Sequence, residues 1–248
     1  MFGRLILERF LPLSRPTSIL GRTESRCSVD AKDPILLDVN RFSSREDWLN
    51  FAQGDLPKAY TNLASARFAI GAPKSSAHIL YQSFVSKGRG LHEGSYREIV
   101  ANNPHGVFPL NRAFLELVSL LLYSIRNPYY IDVLTGAGPN RSRAKKKFQA
   151  IFDAIKDEAP GMKDAYKELS DYSHFGALAV YNVHVPEGEE ILRRTSWTDA
   201  PRWSSEDDFR IACSQLSELH VELIAGLGTF SEKYLNGYPG VTIIGEFT

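Results

Sequence analysis

The segment "NPHGVFPLNRAFLELVSLLLYSIRNP", residues 103–128, constrains this chain more than any other. Phe114, Leu117, Val118, Leu121, Leu122 and Ile125 recur at the i, i+3, i+4, i+7 spacing of one helical face. Leu115, Leu120 and Tyr123 widen that face beyond what one neighbour covers, so the spacing predicts a central helix contacted on several sides. Pro109 suits its start, and Asn127 with Pro128 stops it. The longest apolar stretch, residues 113–125, is shorter than a bilayer requires and carries Glu116, so no membrane span is expected. Arg112 and Glu116 stand four apart and pair along one face.

A helix that is apolar on several sides needs other helices around it, and the rest of the sequence supplies them. Ser44 followed by Asp47 has the form of a capping box, opening a short helix through Trp48, Leu49 and Phe51 that stops at Gly54. Pro57 then starts a helix carrying Tyr60, Leu63, Arg67 and Ile70, closed by Gly71. A third begins near Pro73, with Ala77, Leu80, Phe84 and Val85 as its stripe and "KGRG", residues 87–90, as its end. His92 falls in the loop beyond, ahead of a short helical piece around "SYREIV". After the central helix, "TGAGPN" reads as a turn: no strand precedes it and no Gly-Lys-Ser/Thr follows, so it is neither a dinucleotide nor a phosphate loop. Residues 141–160 form the next helix, on Phe148, Ile151, Phe152 and Ile155. Another starts near Met162 and runs into the early 180s. Residues 186–204 make a long irregular connection whose Trp197 and Trp203 pack over a groove.

The last helix runs from Ser205 to about Leu235 on Phe209, Cys213, Leu216, His220, Leu223, Leu227, Phe230 and Tyr234. Its Gly226 and Gly228 permit a kink or a close neighbour. The expected fold is therefore all-α: a multi-helix bundle with an irregular N-terminal leader over 1–40, a single helical domain over 41–248, and a short extended C-terminal tail, without a hairpin pair or a repeat.

Composition then excludes several function classes. The 248 residues, 43% hydrophobic, suffice for a substantial core, and equal counts of 29 basic and 29 acidic residues leave no global field to recruit nucleic acid or a membrane. Cys27 and Cys213 are too isolated for a disulfide framework or a metal knuckle, which points to a reducing cytoplasm. The basic start, "MFGRLILERFLPLSRP", is broken by Arg4, Glu8 and Arg9 and lacks the form of a secretory signal.

Chemistry concentrates in "YKELSDYSHFGALAVYNVH", residues 166–184, which holds two of the six histidines. Tyr166, Ser170 and His174 stand at i, i+4, i+8 and share a helical face, with Tyr181 on a similar heading beyond. Two readings stay open: His174 fills a polar pocket between helices, bonded to Ser170 and Tyr166, or it acts as a base. A metal site has little to build on, since Asp171 and His174 form one Asp-x-x-His and no Cys pair or His-Glu-x-x-His exists; no cofactor is expected. Ser170, His174 and Asp171 lack the nucleophile elbow a hydrolase triad would need.

The pairing of "LNRAFLELVSLLLYSIRNP" with a later "YKELSDYSHFG" resembles a loose group of uncharacterised bacterial helical proteins with a Tyr-x-x-Leu-Ser-x-x-x-His segment, some similar to abortive-infection and HEPN-type proteins. The likeness spans residues 109–184. It implies a defence or toxin effector that cleaves RNA without a metal, its site completed across a homodimer. HEPN-type sites place an Arg shortly before a His; here Lys167 stands instead, with six residues between it and His174. On that reading His174 is the base, Lys167 or Arg112 stabilises the developing phosphorane charge, and Ser170 or Tyr166 orients the imidazole.

The run "RSRAKKK", residues 141–147, places Arg141, Arg143, Lys145, Lys146 and Lys147 at a helix start, where they oppose the helix dipole and suit an anionic partner such as RNA. The ribonuclease reading requires these cations and His174 to share a surface. The alternative is a non-catalytic interaction subunit that docks a protein or a second copy through exposed aromatics such as Trp197 and Trp203. A helical small-ligand sensor around Tyr166, His174 and Tyr181 is the third reading.

Overall fold

The computed structural model of the chain describes residues 42–64, 67–68, 75–137, 146–174, 184–187, 194–197, 200–235 and 241–242. The leader, Cys27, Arg141, Arg143, Lys145 and Tyr181 lie outside these described residues. The fold is an all-α bundle. Its helices are α1 (Arg45–Gln53), α2 (Leu56–Ala64), α3 (Ser76–Val100), α4 (Pro104–Arg126), α5 (Tyr129–Thr135), α6 (Phe148–Ile155), α7 (Met162–Ser173) and α8 (Glu206–Tyr234). Among the described residues four short strands accompany them: β1 (Arg67–Phe68), β2 (His184–Glu187), β3 (Arg194–Trp197) and β4 (Val241–Thr242).

Local chemistry sets several of the starts. Ser44 accepts from the Asp47 amide while the Asp47 carboxylate takes the Ser44 amide at 2.9 Å, the capping box expected. Ser75 does the same for α3 with His78 in the acidic residue's place: His78 Nδ1 lies 2.7 Å from the Ser75 hydroxyl. α8 opens on Ser205, whose hydroxyl accepts from the Asp208 amide, with Glu206, Asp207 and Asp208 favouring the positive end of the dipole. α4 starts earlier than its apolar pattern suggests, with Pro104 at the first turn and Pro109 inside the helix.

α4 is central, as its all-round apolar pattern requires. Val107, Phe114, Val118 and Leu121 are wholly buried, and α3, α7 and α8 pack around it. A tight turn at Asn102, with φ of 55°, makes α3 and α4 antiparallel. α8 runs in the same direction as α4: Trp203 meets Phe108, Gly226 faces Leu121, and Tyr234 donates to the Ile125 carbonyl at 2.9 Å. Lys233 Nζ donates to that same carbonyl at 2.6 Å, placing a cation at the negative end of α4. By length and hydropathy α4 alone among the described helices is able to cross a bilayer, and most of that window is buried inside the bundle.

Several expectations are corrected. α2 ends at Ala64, and Arg67, expected on it, pairs in β1 with Thr242 of β4. α3 continues through "KGRG" to Val100, which moves His92 from a loop to the core. The reason lies in the packing: a Cβ at Gly88 would stand 2.2 Å from Leu223 Cδ2, so the glycine admits α8 rather than ending α3. α7 stops at Ser173 instead of continuing to the 180s, and β2 pairs antiparallel with β3 where no hairpin was expected. α5 is an additional helix, closed by Gly136 at φ of 72°, the first glycine of the expected turn. α6 begins at Phe148, so Lys146 and Lys147 precede the helix rather than form its first turn.

Candidate functional site

α7 buries Met162, Ala165 and Leu169 and leaves Tyr166 and Ser170 partly exposed along its flank. Tyr166 is the hub. Its hydroxyl accepts from Arg112 Nη2 at 2.9 Å, and the guanidinium carbon lies 5.0 Å from its ring centroid. Arg112 Nη2 also lies 3.4 Å from Glu116 Oε1, the i, i+4 pair the sequence predicts. Phe148 stacks on the Tyr166 ring at 6.0 Å, and Phe152 approaches it at 5.0 Å. Because Phe148 follows Lys147 directly, this stack joins the basic approach to α6 with the α7 flank. Lys146 and Lys147 are exposed there, and the Lys146 backbone amide donates to the Tyr130 hydroxyl at 3.1 Å.

His174 lies at the end of α7, eight residues or about 12 Å along the axis from Tyr166. It caps the helix through its backbone amide, which donates to the Ser170 carbonyl at 2.9 Å. The side chain is exposed, so the polar-pocket reading is corrected. Ser170 does not orient the imidazole either: its hydroxyl donates to the Tyr166 carbonyl at 2.6 Å, back along its own helix. The Tyr166 hydroxyl is engaged by Arg112. Lys167 is exposed and paired with Asp164 at 3.4 Å, a contact solvent screens heavily. The structure thus brings together Arg112, Tyr166 and the Lys146–Lys147 approach, and leaves His174 and Lys167 on solvent further along α7.

Trp203 is corrected outright. It is buried, edge-on to Phe108 at 6.1 Å and to Phe209 at 5.8 Å, and offers nothing to a docking partner. Among the described residues no group of three or more His, Cys, Asp or Glu side chains is disposed to hold a metal ion.

A second polar cluster escaped the sequence reading. His92 of α3 and His220 of α8 lie in the core with ring centroids 4.4 Å apart, and Tyr60 of α2 stands 5.4 Å from His220. His92 Nε2 bonds the Ala52 carbonyl at 2.8 Å. His92 Nδ1, His220 Nδ1 and the Tyr60 hydroxyl are buried without a hydrogen-bond partner among the described residues. Burial pushes His92 down to about 4 and, with the neighbouring His92, His220 down to about 3. On the same helix, burial and the Glu222 carboxylate push Glu218 up to about 8, and burial raises Glu222 as well. His220 already belonged to the apolar stripe of its helix, the one signal of its burial; His92 gave none, because the glycines around it masked the helix.

No family model, no curated protein and no solved structure matches this chain.

Proposed function

We propose that this chain is a HEPN-like helical effector that engages RNA on the face shared by the basic approach to α6 and the flank of α7, with His174 as its metal-independent base. The observation that carries the reading is the Phe148–Tyr166 stack with Arg112 on the same tyrosine, because it places Lys146 and Lys147 beside the helix that bears His174. Nucleic acids are held by cations on phosphate and aromatic faces near bases, and this face has both residue types. An exposed imidazole is accessible to a large substrate in a way a core histidine is not.

The chemistry follows from these positions. His174 takes the proton of a ribose 2'-hydroxyl, the freed oxygen attacks the adjacent phosphorus, and the bond to the 5'-oxygen breaks. The products are a 2',3'-cyclic phosphate and a 5'-hydroxyl, which takes up a proton from solvent. Lys167 stands on the same helix to stabilise the phosphorane charge. Arg112, Tyr166 and Ser170 hold the binding face rather than the base. As in the group it resembles, the active species on this reading is a homodimer.

The test is incubation with total RNA in excess EDTA, beside His174→Ala with its helicity verified. Cleavage by the wild type alone is the expected result. Lys146→Glu/Lys147→Glu is expected to weaken RNA binding and to reduce the slope of log K against log salt by about 1.4, two single-strand phosphate contacts. RNA that stays intact and unbound refutes the reading and favours a non-catalytic interaction subunit.

A further inference from the structure

We propose that His92 and His220 form an acid-responsive latch beneath the α1–α2 corner, whose protonation releases that corner and α2 from α3 and α8. The geometry sets the device. The His92 ring is tied to the corner by its bond to the Ala52 carbonyl, the last turn of α1. Gly54, at φ of 52°, makes the corner and lies over His220, since a Cβ there would stand 3.8 Å from His220 Cδ2. Tyr60 anchors α2 against both rings.

With Nε2–H donating to Ala52, the proton His92 gains must sit on Nδ1, a buried atom without an acceptor among the described residues. Protonating His220 adds a second charge on a ring whose centroid is 4.4 Å away. Among the described residues the counter-charge that reaches His92 is Glu93, and its pull is smaller than the effect of burial. Tyr60 on α2 is a neutral phenol, α4 brings Phe114, and α1 brings a backbone carbonyl. Glu93, next to His92 on α3, is drawn to the surface by Arg89 at 2.7 Å and Arg97 at 3.7 Å. Glu218 and Glu222, two residues either side of His220, are both shifted toward their neutral acids by burial. The least costly way to hydrate both imidazolium rings is to lift the short α2 and its corner, leaving the α3–α4–α8 core in place.

In the open state both rings regain an ordinary imidazole pKa near 6.5, so lowering the pH from 7.5 to 5 favours opening by about 30-fold per histidine and on the order of 1000-fold together. Amide hydrogen exchange at the two pH values, corrected for intrinsic rates, reads this directly. Protection over residues 52–63 is expected to fall about 1000-fold and to lie, at pH 5, well below that of residues 117–125 of α4, which exchange only through fuller unfolding. His220→Phe, which keeps a ring against Tyr60, and His92→Gln, which keeps a donor to Ala52, are each expected to remove about 30-fold of that fall. Either variant suffices if the other does not fold. Unchanged protection over 52–63 in the wild type, protection there no lower than that of α4 at pH 5, or a full 1000-fold fall in the variants overturns the latch.

Discussion

Replacing Gly88 with alanine adds one methyl group where α3 meets α8, and its effect follows from two opposed terms. The new Cβ would lie 2.2 Å from Leu223 Cδ2 and 3.5 Å from the Tyr60 hydroxyl. Carbon atoms in contact stand about 3.5–4.0 Å apart, so Leu223 must retreat by roughly 1.5 Å. Leu223 is wholly buried and Tyr60 nearly so, which leaves it nowhere to go without disturbing the core. Overpacking of this kind costs about 1–3 kcal/mol. Against it, alanine in a helix interior is more favourable than glycine by about 1 kcal/mol. Gly90, two residues on, isolates the second term, since a Cβ there meets nothing within 4 Å. Gly90→Ala is expected to stabilise by about 1 kcal/mol, and Gly88→Ala to fall below it by the overpacking cost of about 1–3 kcal/mol, the propensity gain cancelling between the two. Urea denaturation followed by ellipticity at constant pH measures that gap. A double variant, Gly88→Ala with Leu223→Ala, should cost less than the sum of its singles, because the shortened residue 223 makes room for the methyl. Equal stability of the two glycine variants would refute the close approach of α3 and α8 at this point.

Other outcomes follow from the same packing. Glu218 has a folded pKa raised from 4.5 to about 8, so its contribution is fully present below pH 4.5 and is lost as pH rises through 8. Relative to Glu218→Gln, the wild type should lose about 3 kcal/mol between pH 5 and pH 7.5, measured by denaturation at each pH; parallel profiles would show the carboxyl to be solvated. Trp203→Ala should cost about 3–5 kcal/mol in chemical denaturation if the indole fills the core against Phe108 and Phe209, and under 1 kcal/mol if it lies at the surface. Ser44→Ala should cost about 0.5–2 kcal/mol by loss of the α1 cap, measured the same way.

The long helices were legible because their faces are long. α4 and α8 each repeat their apolar spacing over several turns, and the Ser44–Asp47 and Ser205 caps are local enough to recognise from residue type. α3 was divided because a glycine's two meanings, helix breaker and packing notch, look alike in a single chain; only Leu223, 135 residues away, decides between them at Gly88. The same error hid His92, whose burial depends on α1, α2 and α8 closing over it. The start of α7 near Met162 is legible in the sequence, but its end and the contact of Tyr166 with Arg112 are not. What spacing alone did not show was that Ser170 spends its hydroxyl on its own helix and that α7 ends at the residue before His174.

The parallel seating of α8 along α4 also bears on synthesis. α1 is tied to α8 through Arg45 and Glu206 at 2.9 Å, and the Tyr60 and His92 cluster closes only on His220. A nascent chain that has released α1 to α7 from the ribosome therefore still presents the apolar sides of α3 and α4 to solvent. Native closure waits for residues near Phe230, and contacts this distant in sequence close slowly. Through that interval the growing chain exposes apolar surface of the kind holdase chaperones cover, and a pause in translation before residue 206 would lengthen the exposure.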